Sequence, residues 1–86
     1  MNERGRLIYI FSQIVPETEK EKSIIGSTYI ALRNNSVEDF FSAYSFYRTC
    51  SRALSPFNQF NNSGLVRSME RAKRYFDNLE DLDNYL

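Results

Sequence analysis

The sequence predicts an all-α fold: a small compact bundle of three to four helices, spanning about 4–15, 17–34, 37–54 and 64–84. Three observations predict it. Apolar residues recur at helical spacing in each of four segments. Pro16, the turn Asn34-Asn35-Ser36 and the stretch Ser55-Pro56 to Ser63-Gly64 separate those segments. No second strand-like segment exists for the first one to pair with. At 86 residues the chain fits one domain, 1–86, and is too short for a dinucleotide-binding sheet or a (β/α)₈ barrel.

In the first segment Leu7, Phe11 and Ile14 fall at i, i+4, i+7, with Ile8 and Val15 beside them. Leu7-Ile8-Tyr9-Ile10-Phe11 is also rich in strand formers. Asn2 as a ready N-cap, and the missing partner strand, weigh the reading toward helix. The second segment starts at Pro16, which is tolerated in a first helical turn, with Glu17, Glu19 and Glu21 where the helix dipole favours negative charge. Its buried stripe is Ile24, Ile25, Thr28, Tyr29 and Leu32. Gly26 within it suggests close packing by another backbone.

The third segment opens on Ser36-Val37-Glu38-Asp39, a variant capping box with Asp in place of Glu. Val37, Phe40, Phe41, Tyr44 and Tyr47 form one apolar stripe. Ala43, Phe46, Cys50, Ala53 and Leu54 form a second. The narrow polar line is Glu38, Ser42, Ser45, Thr49 and Arg52. Apolar residues therefore cover more than half the circumference, against the stripe of a little over 100° on an ordinary surface helix. Such a helix is either wrapped by the other three or partly covered by another chain. The fourth segment places Leu65, Met69, Ala72, Phe76 and Leu79 at 4-3-4-3 spacing, with Arg67, Arg71 and Arg74 on the opposite face.

Composition narrows the chemistry. Histidine and tryptophan are absent and cysteine occurs once. That excludes disulfide frameworks, Cys/His zinc sites and His-dependent nucleophilic catalysis. The three glycines are isolated, so there is no phosphate-cradling loop. Asp77, Glu80, Asp81 and Asp83 lack the loop glycine and late glutamate of a calcium-binding hand. Asp39 near Tyr44 or Arg48 is a cap contact before it is an acid–base pair. No cofactor and no metal are expected. The longest apolar run, Leu7–Phe11, is too short for a membrane span or a signal core. With one unpaired cysteine, Cys50, the expected location is cytoplasmic.

Eleven basic residues balance eleven acidic ones. The distribution is uneven: residues 40–76 carry Arg48, Arg52, Arg67, Arg71, Lys73 and Arg74 against Glu70, and the acidic residues named above follow. In the last helix this order opposes the macrodipole. Antiparallel pairing of two copies would account for it.

These features favour a non-enzymatic protein-interaction module: an adaptor, regulator or inhibitor. Its expected contact residues are Phe41, Phe46, Phe57 and Phe60, because exposed aromatics dominate interfaces. Phe57 and Phe60 stand in an Asn-rich stretch and either plug the core or protrude as anchors. Arg67, Arg71 and Arg74 would steer an acidic partner protein. Self-association is the further expectation. The alternative is a small nucleic-acid-binding regulator using the same arginines, against which stand the neutral chain and its acidic end.

Overall fold

The computed structural model describes residues 2–54 and 63–85. Among them the chain forms four helices: α1 (Glu3–Gln13), α2 (Glu19–Asn34), α3 (Val37–Leu54) and α4 (Ser63–Tyr85). The all-α bundle is as the periodicity predicts. The helices close a ring, α1 on α2, α2 on α3, α3 on α4 and α4 on α1.

Local chemistry sets the helix ends. Asn2 caps α1, its Oδ1 accepting from the Gly5 N–H at 2.8 Å. The segment with strand-forming residues is helical because its Leu7 and Phe11 share one buried face. The helix stops at Gln13, two residues short of the expected end. Ile14 is extended, and Pro16 disfavours helical backbone at the residue before it. Val15 consequently leaves the helix face and is 76% exposed.

The start of α2 also differs from the expectation. Its N-cap is Thr18, whose Oγ1 accepts from the Glu21 N–H at 3.0 Å. The Glu21 carboxylate turns back and accepts from the Glu17 N–H at 2.9 Å. This is a shifted capping box that overrides Pro16 as the starting signal. It also buries Glu21, which the sequence placed among the first-turn charges.

At the far end Asn35 adopts a left-handed conformation (φ 50°, ψ 41°), and the Ser36 N–H donates to the Ala31 carbonyl. Arg4 of α1 then caps α2 from outside. Its Nε donates to the Leu32 carbonyl at 2.7 Å and its Nη2 to the Arg33 carbonyl. A cation there adds a second donor to the Leu32 carbonyl, which the Asn35 N–H also reaches, gives one to Arg33, and meets the negative end of the dipole. The next helix begins as expected: Ser36 Oγ accepts from the Asp39 N–H at 3.1 Å.

The core joins Leu7 and Phe11 to Ile24, Ala31, Leu32, Phe40, Tyr47, Leu65, Met69, Ala72 and Phe76. The 4-3-4-3 stripe of α4 is buried through Phe76, with Leu79 half-buried at its end. Phe40 stacks on Phe76, centroids 4.4 Å apart and planes 14° from parallel. Across the ring Thr28 donates to the Met69 sulfur at 3.4 Å. Cys50 is buried, as a small core residue. Two expectations are corrected here. Gly26 is exposed, and a Cβ added there meets nothing within 4 Å, so no backbone packs on it. Nor is α3 wrapped by three helices: it packs chiefly on α2 and α4, and its outer edge is exposed.

Candidate functional site

The inner face of α3 carries Phe40, Ala43, Tyr47 and Cys50, all buried. Its helical period then sends Phe41 and Phe46 to opposite flanks. Phe46 is 45% exposed on the α2 side. It lines a groove of about 430 Å³ with Ser23, Ser27, Ile30, Asp39, Ser42 and Ala43. Ile30, 56% exposed, is the second large apolar side chain there. Apart from the Asp39 carboxylate the groove wall is built of small residues, so the two large apolar side chains are its anchors.

Phe41 is half-buried on the α4 side. It lines a groove of about 360 Å³ with Tyr44, Ser45, Arg48, Thr49, Arg52 and Lys73. The Lys73 ammonium lies 5.8 Å from the centre of the Tyr44 ring and bonds the Asp77 carboxylate one turn on. That hydrogen bond raises the lysine pKa, while desolvation and the nearby Arg48 oppose it. Tyr47, beneath this region, has its phenol pushed up by burial first, then by Glu70.

The expected contact residues are therefore not one patch. Phe41 and Phe46 belong to two grooves with α3 between them. Phe57 and Phe60 lie outside the described residues. Arg67 and Arg74 are exposed on the outer side of α4. Arg71 is turned toward α1 and paired with Glu3. Arg71 and Arg74 border a groove of about 400 Å³ with Glu3, Tyr75 and Asn78, away from both aromatic grooves. Arg48 and Arg52 gather with Lys73 on the opposite flank of α4 from these arginines.

Sequence reasoning missed Ile30. Its signal was available, since an isoleucine standing off the stripe of Ile24, Thr28 and Leu32 has no core position to fill. Asp39 is separated by α3 from Tyr44 and Arg48, so the acid–base cluster does not assemble. Among the described residues no three His, Cys, Asp or Glu side chains stand close enough to hold a metal ion. No helix of the described residues is long and apolar enough to cross a membrane. No protein-family model, curated protein or solved structure matches the chain.

Proposed function

We propose that this chain is a small non-enzymatic protein-interaction module, an adaptor, regulator or inhibitor, that takes a partner protein into the groove between α2 and α3. The observation that supports this is Phe46 standing 45% exposed beside an exposed Ile30. A phenylalanine loses the free energy of apolar burial when left in water, and a rigid aromatic over a small-walled groove is the usual anchor of a protein interface. Ser23, Ser27, Ser42 and Ala43 leave room for a partner side chain to seat between the two apolar residues. Arg67 and Arg74, exposed elsewhere, act at longer range by favouring an acidic partner's approach.

The test is site-specific photo-crosslinking in cells. A photoreactive phenylalanine at position 46 is expected to give a discrete covalent adduct with a second protein. The same group at Glu70, exposed on α4, serves as the control. An Ile30→Asp change should abolish the adduct. Equal labelling at both positions, or none at position 46, ends this reading.

A further inference from the structure

The outermost edge of α3 carries a pattern that the Phe46 groove does not use. Glu38, Ser45 and Arg52 are all exposed and seven residues apart. Seven residues make about two helical turns, so the three stand in line, about 10 Å between neighbours along the axis. Beside them Phe41 and Ser45 border both a basic groove, with Arg48, Arg52 and Lys73, and an acidic one, with Glu38 and Glu80.

The fourth helix reinforces this polarity. Phe40 meets Phe76 and Tyr44 meets Lys73, while Glu80 shares a groove with Val37 and Glu38, so α3 and α4 run antiparallel. Glu80 thereby falls at the acidic end of the face and Lys73 at the basic end. Lys73 is already neutralised by Asp77. What remains is Glu38 and Glu80 at one end, Arg48 and Arg52 at the other. Among the described residues none of these four makes an ion pair.

We propose that this face pairs with itself: two copies meet across a two-fold axis at Ser45, α3 antiparallel to α3, with Glu38 of each copy against Arg52 of the other. A face whose halves carry equal and opposite charge about its centre is complementary to its own copy, and a two-fold contact closes after two chains. At the axis the exposed side chains are small or short, Ser42, Ser45 and Thr49, which permits the two helices to approach. In this pairing Phe41 lies opposite the second copy's Thr49 and loses its remaining water. The two Glu38–Arg52 contacts stand about 21 Å apart, beyond the ~8 Å screening length at physiological salt, so each acts separately. The pairing shares Ser42 with the rim of the Phe46 groove but uses neither Phe46 nor Ile30.

The experiment is absolute mass by light scattering over a dilution series at low salt. Wild type is expected to dissociate from dimer to monomer on dilution. Glu38→Arg and Arg52→Glu should each weaken the dimer by about tenfold or more, since each replaces two attractions by two repulsions. The double swap Glu38→Arg, Arg52→Glu should return it to within about threefold of wild type. That chain carries both charges against the α3 dipole, so its recovery cannot come from better folding. Independently, Ser45→Cys should oxidise to a covalent dimer much faster than Ser12→Cys, which is exposed on α1. Phe46→Ala should leave the dimer intact, so failure here and failure of the groove reading are separate results. A wild type that stays monomeric at low salt, a double swap no better than the singles, or equal oxidation at positions 45 and 12 would overturn the pairing. A monomer that binds an acidic peptide through Arg48 and Arg52 would assign the basic groove to another protein instead.

Discussion

Arg71 on α4 grips Glu3 on α1 with two hydrogen bonds, Nε to Oε1 at 2.6 Å and Nη2 to Oε2 at 3.2 Å. The pair fastens the first helix to the last across 68 residues. It changes the reading of Arg71 from a steering charge to a clasp. The guanidinium bond holds the Glu3 carboxyl below its ordinary pKa, against a smaller opposing push from desolvation. A carboxylate with a depressed folded pKa stabilises the fold at pH values above its unfolded pKa, and that contribution fades as pH falls through the folded value. Glu3→Gln should therefore melt below wild type at neutral pH, and the gap should close in acid. The pair is partly exposed, so the gap is small and shrinks with salt. Melting curves of both proteins from neutral to strongly acidic pH check this; a gap that widens in acid would contradict the clasp.

A cation of α1 itself has a larger expected effect. Arg4 donates to two carbonyls at the end of α2: that of Leu32, which also accepts from the Asn35 N–H, and that of Arg33. Arg4→Ala removes charge-assisted bonds and a favourable dipole contact together, a loss of about 1–2 kcal/mol. Arg4→Lys recovers part of it, because a single ammonium cannot reproduce the two-pronged geometry. Urea titrations of the three chains give the order wild type, Lys, Ala. Equal stabilities would mean that the carbonyls are served as well by water.

The residues behind these two predictions show where sequence reading stops. Local signals were legible. The α4 stripe, the Asn2 and Ser36 caps and the burial of Phe40 follow from spacing within one or two turns. The partners of Arg4 and Arg71 were not, because each lies on another helix and nothing local distinguishes a clasping arginine from a solvated one. At α2 two local signals competed. Pro16 advertised a start, but Thr18 with Glu21 satisfies backbone donors that Pro16 leaves unmet. For the site, the aromatic excess of α3 was visible in its sequence. The separation of Phe41 from Phe46 follows from the helical period; which neighbour each flank meets, α4 or α2, needed the packing of the bundle.

Gly26 gives a prediction that runs against its first reading. Its position is helical and exposed, and a Cβ there meets open space. Gly26→Ala should stabilise the protein by about 0.4–1 kcal/mol, mainly by restricting the unfolded chain. Thermal melts at one concentration above and one below the dimer transition separate this gain from any change in association. A loss of stability would mean that something does pack on this face of α2.

The last prediction sets two phenylalanines of one helix against each other. Phe40 is fully buried and stacked on Phe76, whereas Phe46 is 45% exposed in the α2–α3 groove. Phe40→Ala removes apolar contacts and leaves a cavity, a loss of about 3–5 kcal/mol that threatens folding of so small a domain. Phe46→Ala leaves no closed cavity and should shift stability by about 0.5 kcal/mol or less. Its cost falls on binding: the groove loses its rigid anchor, and partner capture should drop by tenfold or more, since truncating a central aromatic costs ~2 kcal/mol or above at an interface. Folding stability by urea and capture by the crosslinked partner, measured on both variants, separate the roles. If Phe46→Ala instead destabilises the fold as much as Phe40→Ala, the exposed ring belongs to the core, and the groove is not the binding surface.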